Sequence, residues 1–164
     1  MSNYKLDQTD CAILALLQTD GRASNVKLAN KLNLSETPCW RRLKRLEEVG
    51  YIQGYQANLN RKLLGFGVLA FVQIKFSIHT DESLVEFERA IQEIPEVLSC
   101  HNISGESDYL LQVVSESLES YEKLSRNVIR RLPGVTSVKT SFSLMEIKAS
   151  TLLPISKAME VVKR

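Results

Sequence analysis

The chain has 164 residues, 44% of them hydrophobic and 24% charged, which is an ordinary globular composition with room for one domain or two small ones. Its three cysteines, Cys11, Cys39 and Cys100, are odd in number, far apart and free of any C-x-x-C, so free thiols in a reducing compartment are expected rather than a disulfide framework, with Cys11 and Cys39 buried in helical patterns. No apolar run approaches the ~20 residues of a membrane-spanning helix, and the start MSNYKLDQTD lacks the apolar core of a signal peptide, so no membrane partner and a cytoplasmic location are expected.

The first helix is predicted over 8–19. Asp7 can cap it, Asp10 suits the positive end of its dipole, and Ile13, Leu14 and Leu17 form its inward stripe. Asp20-Gly21-Arg22 ends it. A second helix starts after Ser24, with Val26, Leu28, Ala29 and Leu32 on its apolar side. Asn33-Leu34-Ser35 makes a tight turn, and Ser35 is placed to cap a third helix over 36–48, with Pro38 tolerated in its first turn.

On a wheel of 100° per residue, Cys39, Leu43 and Leu46 share one stripe of the third helix. Thr37, Arg41, Lys44 and Glu48 lie opposite, Arg45 lies beside them, and Trp40 and Arg42 lie on the flanks. Taken alone, such a charged face is ordinary solvated surface, and Glu36, Glu47 and Glu48 partly offset its cations. A cationic helix anchored on its other side, after a short helix and a tight turn, is instead the pattern of a helix-turn-helix. The second helix of such a motif fits the DNA major groove. Thr37, Trp40, Arg41 and Lys44 are the expected base-edge contacts. Arg42 and Arg45 are expected on phosphates. Trp40 has an equal alternative in packing against the following linker.

Gly50 closes the third helix, and a short strand over 51–57 is expected as a wing or a linker. The turn-rich NLNRKLLGFG marks a domain boundary, giving 1–65 and 66–164. Residues 1–65 carry 10 Lys+Arg and 6 Asp+Glu, a net +4. The remainder carries 11 and 13, a net −2, so the basic excess sits with the helix-turn-helix. The second half alternates: strand 68–76, helix 81–94 with Leu84, Phe87 and Ile91 inward, strands 97–103 and 108–115, helix 118–132 with Tyr121, Leu124 and Val128 inward, and strand 135–148. The order βαββαβ is ferredoxin-like, with both helices on one sheet face. Leu69, Phe71 and the doubly apolar YLLQVV predict a second subunit over the other face.

His79 and His101 are not at metal-ligand spacing with each other or with a cysteine. Gly-Glu-Ser-Asp-Tyr lacks the second glycine of a nucleophile elbow, so Ser107 is a poor nucleophile. No phosphate-cradling loop occurs. Neither a metal nor a cofactor is expected, and no acid, base and nucleophile converge to indicate an enzyme. On residue chemistry alone, Gly105–Tyr109 is a β-turn.

The run LDQTDCAILALLQTDGRASNVKLANKLNLSETPCWRRLKRLEEVGYIQGY resembles the DNA-binding half of the Lrp/AsnC family of bacterial regulators, most specifically at LDQTDCAIL, DGRASN, LSETPCWRRLKRLEE and GYIQGY. The ending SFSLMEIKASTLLPI is also similar to members of that family. The resemblance implies a double-stranded operator DNA partner bound through the third helix from Ser35 onward. It implies a homodimer that assembles to a tetramer or octamer. It also implies an amino-acid effector lying in a cleft lined by Gly105, Asp108 and Tyr109, with exposed N–H groups on its carboxylate and Asp108 on its ammonium. The alternative is a stand-alone amino-acid sensor or enzyme-regulatory subunit that uses its helix-turn-helix for protein contacts.

Overall fold

The computed structural model describes residues 4–76 and 81–155. His79 and the tail from Ser156 lie outside the described residues. Contacts divide the chain into two units, residues 1–58 with 149–164, and residues 59–148. The turn-rich stretch up to Gly65 thus groups with the second unit. The segment after Lys148 groups with the first.

The first unit holds three helices: α1 (Gln8–Thr19), α2 (Asn25–Lys31) and α3 (Glu36–Glu48). The Asp7 carboxylate accepts from the Asp10 N–H, and the Asp10 carboxylate accepts from the Asp7 N–H, a reciprocal capping box on α1. Ser24 caps α2 by accepting from the Lys27 N–H. Ser35 sits at the N-cap of α3, but its hydroxyl makes no cap bond. Between α2 and α3 the chain reverses at Asn33, whose φ of 52° lies in the left-handed region that asparagine tolerates better than most residues. Leu28, Ala29 and Cys39 form the core of the unit, with Leu16, Leu17, Leu34 and Leu43 packed around them. Ile13 and Leu46 are also fully buried, whereas Val26, expected inward, is exposed because the seven-residue α2 presents only a narrow inner face. Burial raises the pKa of the Cys11 and Cys39 thiols.

The strand expected over 51–57 does not form. This segment follows α3 without a ladder partner among the described residues, held by Ile52 N–H donating to the Leu46 carbonyl and by Tyr55 Oη donating to Glu47. The chain returns at its other end, where the Gln18 amide pairs with the Leu153 backbone. Gln18 Nε2 donates to the carbonyl at 3.1 Å and Oε1 accepts from the N–H at 2.6 Å.

The second unit is β1 (Val68–Phe76), α4 (Asp81–Gln92), β2 (Val97–Asn102), β3 (Tyr109–Ser115), α5 (Leu118–Asn127), a 3-10 turn over Ile129–Arg131, and β4 (Val135–Phe142). The sheet order is β2-β3-β1-β4 with every pair antiparallel, the ferredoxin-like arrangement. Ala70, Val72, Ile74 and Phe76 from β1 and Tyr109, Leu111 and Val113 from β3 face the helices, meeting Phe87, Ile91, Tyr121 and Ile129. Alternation along the strands leaves Leu69, Phe71, Gln73, Leu110, Gln112 and Val114 on the other face. Five expected boundaries shift. Helix α4 ends at Gln92 rather than at 94, and β3 begins at Tyr109 rather than at 108. Helix α5 stops at Asn127 because Val128 leaves helical geometry (φ −120°, ψ −69°), and Val128 is 37% exposed rather than inward. Strand β4 ends at Phe142, and β2 at Asn102.

Candidate nucleic-acid interface and effector loop

The outward stripe of α3 carries Thr37, Trp40, Arg41, Lys44 and Glu48, all exposed, with Ser35 exposed at its start. Trp40 is 50% exposed, and the Lys44 ammonium lies 5.1 Å from its ring centroid, on the open side of the helix. Lys44 also reaches Glu48 at 3.9 Å. Among the described residues no carboxylate bonds Arg41 or Arg45. The stripe therefore offers one aromatic ring, Lys44 paired with Glu48, and the Arg41 and Arg45 guanidinium groups that no carboxylate among the described residues bonds, over an anchored back face of Cys39, Leu43 and Leu46.

Arg42 behaves differently. Its Nη1 donates to Asp7 Oδ2 at 2.5 Å and to Asp10 Oδ1 at 2.7 Å, and Asp10 is fully buried. The guanidinium expected on a phosphate is thus tied to the α1 capping box. The bonds to Asp10 and Asp7 raise its pKa further above the ordinary arginine value. Asp7 feels opposing effects. Burial disfavours its charge, but the Asp10 N–H and Arg42 outweigh this and hold it below the ordinary carboxylate range.

Sequence reasoning missed Tyr4 and Lys5. Tyr4 Oη donates to Asp10 Oδ2 at 2.6 Å, its carbonyl accepts from Tyr51 Oη at 2.9 Å, and its ring stacks under the Arg45 guanidinium at 4.0 Å. Burial first, and then the bond to Asp10, push the Tyr4 phenol up to about 12. An open hollow of about 500 Å³ lies here, lined by Tyr4, Lys5, Asp7, Pro38, Arg41, Arg42 and Arg45. Two tyrosines, at 4 and 51, flanking the helical core were the only visible signal.

In the second unit, Gly105 turns the β2–β3 hairpin with φ +119°, a conformation L side chains rarely adopt. Asp108 Oδ2 accepts from the Phe76 N–H at 2.8 Å, while its backbone N–H donates to the Ile74 carbonyl and its carbonyl accepts from Ile103, so this residue pins the hairpin to the end of β1. Tyr109 is not a loop side chain. Its ring is buried, 4.7 Å from Phe87 and 5.5 Å from Phe76, and burial raises its pKa. It faces a hollow of about 420 Å³ between α4 and β2 that also touches Glu88, Cys100 and Asn102. Gly105 and Asp108 therefore share the loop, and Tyr109 lies behind it. Among the described residues no helix is long and apolar enough to cross a membrane, and no group of His, Cys, Asp and Glu is placed to hold a metal.

A helix-turn-helix with a cationic outer stripe, joined to a ferredoxin-like unit, defines a two-part DNA-binding regulator. Residues 6–47 match the AsnC-type helix-turn-helix domain, and residues 69–153 match the Lrp/AsnC ligand binding domain. The chain is 41% identical over 150 residues to the DNA-binding transcriptional activator DecR of Escherichia coli K12, covering 92% of this chain and 99% of that protein. It is equally identical to the Leucine-responsive regulatory protein of the same strain, covering 92% of each. Among solved structures, a transcriptional regulator from Neisseria meningitidis in complex with L-Met superposes with a TM-score of 0.89 at 36% identity, over 94% of this chain and 99% of that one. An AsnC family transcriptional regulator from Agrobacterium tumefaciens gives 0.88 at 35%, over 93% and 99%. The chain belongs to the Lrp/AsnC family of DNA-binding transcriptional regulators.

Proposed function

We propose that this regulator reads a double-stranded operator through α3, with Thr37, Trp40, Arg41 and Lys44 at base edges and Ser35 and Arg45 on the backbone. The carrying observation is the segregation of cations on α3: Arg42 is bonded inward, while Arg41, Lys44 and Arg45 remain on the open side. The second unit senses an amino acid at the Gly105–Tyr109 hairpin. The Neisseria relative's complex with L-Met supports that ligand class. Subunits pair over the open sheet face, assemble further into tetramers or octamers, and work in the cytoplasm without catalysis.

Selection of bound sequences from a random duplex pool tests the reading. Wild type enriches one motif. Arg41→Ala weakens binding to it by about 1–3 kcal/mol and relaxes one base position, as expected for loss of a bidentate base contact. Recovery of no motif by wild type would overturn the operator reading.

A further inference from the structure

The hollow beside α3 has two walls. One is the i, i+3, i+4, i+7 stripe Pro38, Arg41, Arg42 and Arg45. The other is Tyr4, Lys5 and Asp7, which precede α1, so one carboxylate also lines the hollow. Its charge is not balanced. Asp7 and the buried Asp10 are both bonded to Arg42, while Lys5, Arg41 and Arg45 bond no carboxylate among the described residues. The second wall is held in place at three points. Tyr4 is fixed by its hydroxyl to α1, by its carbonyl to Tyr51 and by its ring to Arg45. Stacking on a ring face orients a guanidinium plane and leaves its edge N–H groups free to donate.

The geometry points to a seat for a DNA-backbone phosphodiester in this hollow, with Lys5, Arg41 and Arg45 as its ligands and Tyr4 as the positioning residue. The seat rests on the operator reading above and adds a contact from outside the helix-turn-helix. Three cationic side chains from two segments line the hollow and suit a tetrahedral oxyanion. Lys5 and Arg45 lie beside the base-reading stripe rather than on it, which suits a contact that fixes register without reading sequence. Arg41 sits on both surfaces and links the two.

Fluorescence anisotropy of the full chain on a mixed-sequence 30-base-pair duplex, between 50 and 200 mM salt, tests the seat. Lys5→Ala removes one of the seat's three cations, so its log K against log salt slope flattens by at most about 0.9 per bound subunit, and affinity falls by up to about 3.5-fold less per subunit over that salt range than in wild type. Lys5→Arg restores the slope. Tyr4→Ala matches Lys5→Ala, whereas Tyr4→Phe, which keeps the ring under Arg45, stays near wild type in slope. Slopes for Lys5→Ala and Tyr4→Ala equal to wild type, alongside weakened binding by Lys44→Ala, would overturn the seat and leave the operator reading standing. Unchanged binding by Lys44→Ala and Arg41→Ala as well would overturn both. Calorimetry with inorganic phosphate at matched ionic strength separates the diester from the free anion. Saturable phosphate binding lost in Lys5→Ala, with DNA affinity unmoved, would overturn the assignment to DNA.

Discussion

Arg42 lies on the cation-bearing helix, yet its role is set by two carboxylates 32 and 35 positions earlier in the chain. Helical spacing places it on a flank and says nothing of Asp10, because that pairing exists only once α1 crosses α3. Arg42→Ala leaves a fully buried carboxylate with one donor fewer. Removing a partner from a buried pair costs about 3–5 kcal/mol. Arg42 itself is 34% exposed, so about 2–3 kcal/mol is expected here, read by urea unfolding. The same cluster sets two pH limbs. Asp7 titrates below its ordinary 3.8, so its contribution is present above that pH and disappears as pH falls through the lowered value; Asp7→Asn flattens this acid limb. Tyr4 titrates near about 12 instead of 10.0, so its contribution is complete below pH 10 and is lost as pH rises through about 12; Tyr4→Phe removes that alkaline loss. Asp108 also has a task that sequence did not show, since its Oδ2 holds the Phe76 N–H. Asparagine can still accept that bond without the charge. If Asp108 meets the effector's ammonium, Asp108→Asn melts like wild type but binds none of the twenty amino acids in calorimetry. Binding as tight as wild type would leave Asp108 as a hairpin pin alone.

The bounds of α1 and α3 were legible, because helix-start residues and apolar stripes are local signals. Where the structure departs from expectation, the cause is contact with something distant in sequence or a local break in backbone geometry. Val128 has the right spacing to face inward, but helix geometry fails at that residue and a 3-10 turn takes over. Residues 51–57 have strand composition, but a strand exists only with a partner to pair with. Ser24 and Ser35 look alike in sequence, yet only Ser24 makes its cap bond. Ser24→Ala should therefore cost about 1 kcal/mol of thermal stability, a usual N-cap loss, while Ser35→Ala costs a few tenths. Melting curves of the two variants read this difference directly.

The ferredoxin-like topology follows from element order alone, and βαββαβ leaves few alternatives once crossovers are right-handed. Harder to foresee was which apolar residues stay uncovered. Leu69 and Val114 are buried within the chain, whereas Phe71, two residues along the same face, remains 39% exposed next to half-buried Leu110 and Gln112. If subunits pair over this face, Phe71→Lys should lower the mass seen by light scattering without changing the circular dichroism spectrum, since the side chain has solvent to enter. A wild type that is monomeric would remove the basis for pairing. The division between the two units falls after Asn58, inside a turn-rich stretch, while the return of the chain after Lys148 carries no local signal.

That return, through the paired bonds between Gln18 and Leu153, orders events during synthesis. Residues 1–58 leave the ribosome first, but Leu153 follows 95 residues later, about 5–20 s at ~5–20 residues per second. Until then the Gln18 amide lacks its Leu153 partner. A nascent chain, or one cut short by a premature stop in the second unit, carries a helix-turn-helix lacking this tie, so the DNA-reading part is completed only after the sensing part has been translated.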